Sequence, residues 1–186
     1  MNMRVLWGGL VGGVVLFAWS AVAHMFTPLG EMGIQSVAKE EPVLEAMRAN
    51  ITAPGMYYLP GIAPGQHNDE AAMKAWEEKA KRGPVALVVY QVQLEGAMTP
   101  KQFGTEFVSN LVVGLLAGIV LANLGGSFLM RTISVGLMGA ISSVDVYVSY
   151  WNWFRFPGDY TMAQVVIQVV GFLLMGAAMA AIIKKQ

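Results

Sequence analysis

Cysteine is absent from this chain of 186 residues, and histidine occurs only twice. These absences exclude a disulfide framework, a thiolate metal site and a cysteine nucleophile. Equal numbers of basic and acidic residues, 12 of each, and the lack of a long basic run argue against nucleic-acid binding. The sequence also has no GxSxG elbow, HExxH pair, Walker A loop or dinucleotide glycine fingerprint. We therefore expect a protein that is not an enzyme and that has no cofactor and no bound metal.

Charge is also nearly missing from four long apolar stretches. These stretches cover residues 5–23, 107–128, 132–153 and 160–183. Asp145 is the one acidic or basic residue within them. Each stretch is long enough to cross about 30 Å of hydrocarbon as a helix. The sequence therefore predicts a mainly α membrane fold, with four transmembrane helices and a small α/β extracytoplasmic cap between the first helix and the second.

The predicted domains follow from these stretches. They are the first transmembrane helix at 1–26, the cap at 27–99, and the other three helices at 100–186, with an aromatic outer loop at 150–160. The first stretch has a second interpretation, because Arg4, an apolar core and Ala21-Val22-Ala23 resemble a signal peptide with its cleavage site. Since the apolar run reaches nineteen residues without a charge, we interpret it as a retained span.

Basic residues near the span ends predict the orientation. Arg4, Arg131, Lys184 and Lys185 fall on one side, with no acidic residue beside them. The acidic residues other than Asp145 all fall on the opposite side. We therefore expect a multi-pass protein with both termini cytoplasmic and the cap outside, which would be periplasmic in a Gram-negative host and extracellular otherwise.

The cap sequence predicts two helices and two strands. The helices run from Glu41-Pro42 to Asn50, and from Asn68 as a cap to Gly83-Pro84. The strands cover 56–59 and 84–93. Because a two-stranded sheet alone is marginal in water, we expect the helices to pack on it. The sequence leaves open whether the strands pair with each other, with a second subunit or with a partner.

Capping and turn residues predict how the later spans are joined. Thr99 with Gln102 predicts the start of the second span, and Thr161 with Gln164 predicts the start of the fourth. Gly125-Gly126-Ser127 predicts a tight turn, which would make the second and third spans an antiparallel hairpin.

Several motifs carry a resemblance to a known group of proteins. They are Pro28-Leu29-Gly30-Glu31-Met32-Gly33, Ala49-Asn50-Ile51 followed by Pro54-Gly55-Met56-Tyr57, Gly83-Pro84 with Val89-Tyr90, and Tyr150-Trp151-Asn152-Trp153 before Phe156-Pro157. In these motifs the chain resembles an uncharacterised bacterial family of small four-span membrane proteins. The resemblance covers most of the chain and implies four spans with an outer insert in a bacterial inner (plasma) membrane. It implies no activity and no site residues.

Asp145 is the first candidate for a functional group, because a carboxylate within a span is costly unless it faces protein or water. Its possible partners at a similar predicted depth are Glu106, Asn110, Gln164, Gln168 and His24. If these side chains converge, the outer half of the bundle contains a polar pocket for a proton or a cation. The alternative is a structural hydrogen bond, or a carboxylate that outside water reaches. His24, Glu106 and Asp145 offer mixed metal ligands, but no local spacing supports a metal.

Small and aromatic residues supply candidate contact surfaces. Gly8, Gly9, Gly12 and Gly13 form two overlapping GxxxG pairs in the first span. They pack either within one bundle or against another protein. Trp151, Trp153 and Arg155 lie in the aromatic loop, which is an interfacial belt, a cover over a lipid or quinone crevice, or an anchor for a partner.

The leading functional hypothesis is a non-enzymatic multi-pass membrane protein that acts by association. It would be an accessory subunit of a larger membrane complex or a homo-oligomer, with the lipid bilayer and other membrane subunits or further copies as its partners. The alternative is a small transporter or channel, or a lipid- or quinone-binding protein, with a polar outer-leaflet pocket around Asp145.

Overall fold

The computed structural model describes residues 2–184, which form two units. Residues 2–35 and 98–184 form a helical bundle, and Ser36–Ala97 form a second unit, called the insert below. In chain order the regular elements are α1 (Met3–Phe26), α2 (Glu40–Asn50), β1 (Gly55–Leu59), α3 (Glu70–Arg82), β2 (Ala86–Tyr90), α4 (Pro100–Ala122), α5 (Phe128–Ser143), α6 (Ser149–Phe154) and α7 (Gly158–Ile182). A short 3-10 turn, Pro28–Gly30, follows α1, and a π-helical turn, Val144–Val148, joins α5 to α6.

Four helices of the described chain are long and apolar enough to cross a membrane. They are α1, α4, α7 and the continuous helix Phe128–Phe154 that α5 and α6 form together. The prediction of a mainly helical chain with four candidate spans and a small sheet is therefore confirmed.

The start of α4 agrees with the sequence prediction, and the start of α7 does not. Thr99 and Gln102 form the predicted capping box of α4, in which each side chain bonds to the backbone N–H of the other residue. The prediction for the last span is wrong, because α7 already begins at Gly158. Thr161 therefore lies inside the helix, where its N–H bonds to the carbonyl of Pro157.

Two of the three consecutive pairs of spans pack together, and the third, α4 with α5, does not. α1 packs against α4 on one side and against α7 on the other, and α7 also packs against α5. α4 and α5 are joined by a tight turn, in which Gly126 has a φ of 111°, yet they contact each other only slightly. The turn between the second and third spans is present, but the two helices do not pack as a hairpin.

Glycine makes the close contacts of α1 possible. A Cβ atom added to Gly114 of α4 would lie 2.6 Å from the backbone nitrogen of Gly13, so the two backbones are in direct contact. Gly9 lies one turn further along the same contact. Gly8 and Gly12 lie against Ile183 and Met179 of α7. Both GxxxG faces of α1 are thus used for packing within the chain, which is one of the two alternatives that the sequence leaves open.

The apolar core lies toward one end of the bundle. This end, called the Arg131 end, is where α1 begins, α4 turns into α5 and α7 ends. The core cluster consists of Val5, Leu16, Ala117, Leu121, Val135, Met175, Met179 and Ile183. The opposite end is called the Tyr160 end. There the chain after α1 packs on the start of α7, since a Cβ atom on Gly33 would lie 2.9 Å from the Tyr160 backbone nitrogen.

Aromatic rings extend the third span beyond its predicted end. Residues 150–154, which the sequence places in a loop, form α6, so the connection to α7 is reduced to Arg155–Pro157. Tyr147, Tyr150, Phe154, Phe156 and Tyr160 stack with ring centroids 5.2 to 6.4 Å apart. These edge-on contacts favour the helical arrangement, because they hold the connection against the first turn of α7.

The insert contains an antiparallel sheet of two strands. β1 pairs with β2 in the register Gly55 with Tyr90 through Leu59 with Ala86, so the two strands pair with each other. Asp69, and not the predicted Asn68, caps α3 by accepting hydrogen bonds from the N–H groups of Ala71 and Ala72. The sequence predicts that the helices pack on the sheet, but neither helix packs on it extensively.

Candidate functional site

Asn110 and Glu106 of α4 form the one side-chain hydrogen bond within the predicted polar set, all of which lies in the described residues. The Asn110 side-chain amide donates hydrogen bonds of 2.8 Å to both the carboxylate and the backbone carbonyl of Glu106. Asn110 is 6% exposed, whereas Glu106 is exposed. The amide therefore holds the carboxylate in place while leaving it accessible.

This pair lies deeper than the sequence predicts. The backbone of Asn110 contacts Gly13, which is near the middle of α1. Phe107, next to Glu106, stacks edge-on against Phe17 with ring centroids 5.2 Å apart. Phe17 precedes the end of α1 by nine residues, which corresponds to about 13 Å along a helix. Glu106, one residue before the predicted stretch 107–128, therefore lies near the level of Phe17, within the length of α1 and not at its end.

The first turns of α7 carry polar side chains that are largely buried. Gln164 is 7% exposed, and Gln168, one turn further along, is half-buried. The hydroxyl oxygen of Thr161 is buried and has no hydrogen-bond partner among residues 2–184. Two further atoms of this kind, Nε of Arg131 and the hydroxyl oxygen of Thr132, lie at the Arg131 end, so an unpartnered polar atom does not by itself mark a site at the start of α7.

Asp145 has a different setting from these residues. It lies in the π-helical turn Val144–Val148, and its side chain is exposed. Short π-helical turns within an α-helix are frequently found at functional sites. The carboxylate makes no hydrogen bond or ion pair within the described chain. The structure thus joins Glu106 to Asn110 and does not join Asp145 to either.

His24 is also separate from the carboxylates. It is exposed, and its ring nitrogen Nδ1 lies 2.9 Å from the carbonyl oxygen of Ser20, one turn earlier in α1. Within residues 2–184 no group of three or more His, Asp or Glu side chains is placed to bind a metal ion.

Arg131 is the buried ionisable residue that sequence reasoning misses. In the sequence, Arg131 serves only to predict the orientation of the chain in the membrane. In the structure its side chain is only 5% exposed and donates hydrogen bonds to the backbone carbonyls of Leu121 and Ile183. A signal is present nonetheless. A cation in the first turn of a helix opposes the helix dipole, so its presence there indicates a partner elsewhere.

The candidate contact residues divide into two groups. Gly8, Gly9, Gly12 and Gly13 are buried in the bundle. Trp151 and Trp153 are exposed, Trp153 at 72%, and Arg155 is exposed in a left-handed backbone conformation with φ 62°. The aromatic segment is therefore available for contact with lipid or protein, whereas the glycines are not.

The fold and these side chains define a class, a helical membrane protein with four candidate spans and a small sheet. In comparisons with known protein families, curated proteins and solved structures, no match to this chain is found. The resemblance to a bacterial four-span family stays a prediction.

Proposed function

We propose that this protein acts in a bacterial inner membrane by association, as an accessory subunit of a larger complex or as a homo-oligomer, and that the insert is its main contact surface. The observation that carries the proposal is the exposure of the insert. Residues 36–97 are all described, and none of them is buried. A unit of this size without a core is not expected to be stable unless something covers it.

The sheet supplies an apolar surface on both faces. Opposite residues of paired strands share a face, so Met56 and Val89 lie side by side, at 66% and 69% exposed. Tyr57 and Val88 pair on the other face. Strands that are apolar on both faces are typical of sheets that are covered on both sides. Each strand also has one edge that is not paired within the sheet, which is a template for a further strand.

The proposed orientation places the insert on the outer side of the membrane. Arg4, Arg131 and Lys184 all lie at the Arg131 end, and the remaining basic residue of this group, Lys185, is outside the described residues. Short segments rich in Lys and Arg are retained in the cytoplasm. Both termini are then cytoplasmic, and exposed Trp151 and Trp153 lie at the outer interface as a second contact surface.

Transport through Asp145 has less support. The carboxylate is exposed and without partners in the described chain, and the core beyond it toward the Arg131 end is apolar apart from Arg131 and the hydroxyl of Thr132. A conducting path needs polar groups or water along its length.

Native mass spectrometry of the protein in patches of its own membrane tests the proposal. We expect companion subunits or further copies with the wild type. The double variant Met56→Lys with Val89→Lys places charge on one sheet face and should release them. The matched control, Thr52→Lys with Gln91→Lys, adds the same charge at exposed polar positions beside the strands and should keep them. A wild-type monomer without companions would overturn the proposal.

A further inference from the structure

The two helices that begin at the Arg131 end each carry a cation in the first turn. Arg4 is the second residue of α1 and Arg131 is the fourth of α5, and neither first turn contains an acidic residue. The start of a helix carries the positive end of the helix dipole, so it favours an acidic side chain and disfavours a basic one. Positive charge therefore adds up at this end of the bundle.

The contact between α1 and α7 brings a third cation to the same level. Gly8 lies against Ile183, and Arg4 lies one turn before Gly8 on the same face of α1. Lys184 follows Ile183 directly, and the Arg131 guanidinium donates a hydrogen bond to the Ile183 carbonyl. The three basic residues therefore lie within about one helical turn of the level of Ile183.

The acidic residues of the bundle lie too far away to neutralise these cations. Two of the four, Glu31 and Asp159, lie at the Tyr160 end. Of the other two, Glu106 precedes the last turn of α4 by more than a dozen residues, and Asp145 follows Arg131 by a similar number. Each separation corresponds to about 20 Å along a helix, whereas physiological salt screens exposed charges beyond about 8 Å.

Arg4 and Lys184 are the cations that remain for a partner. Both are exposed, and neither forms an ion pair with an acidic side chain among residues 2–184. Arg131 is different, because its guanidinium is buried and bonds to the carbonyl ends of α4 and α7, which offset its charge. Two exposed cations at one level, without an acidic partner in the described chain, match a phosphate-bearing anion.

Exposed apolar side chains at the same end select an amphiphilic anion. They lie in the first two turns of α1 and the first turn of α5, at 55% to 64% exposed, and are Met3, Trp7, Phe128, Leu129 and Met130. Such side chains gain from burial against acyl chains, which a soluble polyanion does not offer. Tryptophan is also enriched where a membrane meets water.

We propose that the Arg131 end binds the headgroup of an anionic phospholipid, with Arg4 and Lys184 contacting its phosphate and the apolar side chains contacting its acyl chains. Arg131 holds the helix ends together beneath this site and does not contact the lipid. Basic clusters between helix ends at the cytoplasmic side of membrane proteins are known to bind such headgroups. This proposal is independent of the association proposed above, because no residue of the insert takes part.

Lipid titration followed by native mass spectrometry tests the site, with the full chain in detergent micelles. The probes are phosphatidylglycerol, which is anionic, and phosphatidylcholine, which has no net charge. We expect the wild type to bind phosphatidylglycerol more tightly. Arg4→Gln and Lys184→Gln should each weaken that binding by about fivefold, because each loses one cation near an anionic headgroup. Both variants should leave phosphatidylcholine binding unchanged.

Lys101→Gln is the matched control. It removes an exposed cation from the first turn of α4, at the Tyr160 end, and should leave the affinity for phosphatidylglycerol unchanged. Glycerol phosphate carries the charged group without acyl chains and should not displace the lipid. If it does, the occupant is a soluble phosphate and the proposal is wrong.

A measurement on the wild type alone keeps the test decisive if a variant does not fold. Raising the salt concentration should weaken the binding of phosphatidylglycerol and not that of phosphatidylcholine. The proposal is overturned if the wild type binds both lipids equally, if salt has no effect on this difference, or if Lys101→Gln weakens the binding as much as Arg4→Gln and Lys184→Gln do.

Discussion

The Arg131 guanidinium donates a hydrogen bond to the backbone carbonyl of Ile183, 52 positions away at the end of α7. It donates a second one, 3.3 Å long, to the carbonyl of Leu121 in the last turn of α4. The last carbonyls of a helix have no partner within it and carry the negative end of the helix dipole. One buried cation at the start of α5 thus satisfies the C-terminal ends of two other helices.

This relationship predicts that Arg131→Met destabilises the bundle. The substitution keeps much of the side-chain length but removes the hydrogen bond to the Ile183 carbonyl, whereas the Leu121 carbonyl still accepts one from the N–H of Leu124. We expect a loss of about 1 to 3 kcal/mol in the free energy of unfolding. Denaturant titration in detergent micelles, followed by circular dichroism, measures it. Lys184→Met removes an exposed cation at the same end and should change stability by less than about 0.5 kcal/mol. Equal losses in the two variants would show that Arg131 contributes only its charge.

Replacing glycine with alanine should have opposite effects on stability at two positions of α4, because only one of them contacts α1. Gly114→Ala places a Cβ against the backbone of α1, and we expect it to cost about 1 to 3 kcal/mol through overpacking. Gly104→Ala has nothing within 4 Å of the new Cβ and should stabilise α4 by about 0.5 to 1 kcal/mol. Thermal unfolding of both variants, in the same detergent, measures the difference. Equal melting temperatures would mean that α1 and α4 do not touch as closely as described.

The sequence predicts the elements of this fold better than their contacts. The four spans, the Thr99 capping box and the two strands are local features, since they depend on apolar run length, on residues three apart and on β-branched content. Helix packing order is not local. Nothing in the α4–α5 turn indicates that α4 packs on α1 instead of α5, because that choice is made by glycines about a hundred residues apart in sequence, such as Gly13 and Gly114.

The same reasoning explains what the sequence shows of the candidate site. Asn110 and Glu106 are one turn apart, so their contact follows from helix geometry. Their level along the bundle does not follow from the sequence, because it is set by the contacts of α4 with Gly13 and Phe17 of α1. Asp145 attracts attention in the sequence as the one charge in an apolar run. Its exposure depends on the π-helical turn, for which the sequence offers no signal.

The contact between α1 and α7 predicts a measurable loss when the Trp19 indole, with its N–H group, is replaced by a phenyl ring. The indole donates a 2.8 Å hydrogen bond to the Ile167 carbonyl. Trp19→Phe should lower stability by about 0.5 to 1.5 kcal/mol beyond the effect of the smaller ring. Trp7→Phe makes the same change at an exposed position of α1 and should be close to neutral. Denaturant titration of both variants gives the difference, and equal values would contradict a role for the hydrogen bond.

Two substitutions of Arg155 should separate its effect on stability from its effect on partner binding. It ends α6 in the left-handed region, with φ 62° and ψ 31°, where a non-glycine residue is disfavoured by roughly 1 to 2 kcal/mol. Arg155→Gly relieves that strain and should raise the free energy of unfolding by about 1 kcal/mol, whereas Arg155→Ala keeps the strain and should not. Both variants remove the guanidinium next to the exposed tryptophans. If Arg155 contacts a partner, native mass spectrometry should show that both variants have lost this partner, although only Arg155→Gly is more stable. If the companions persist in both, Arg155 serves only to end the helix, and the contact surface is the insert alone.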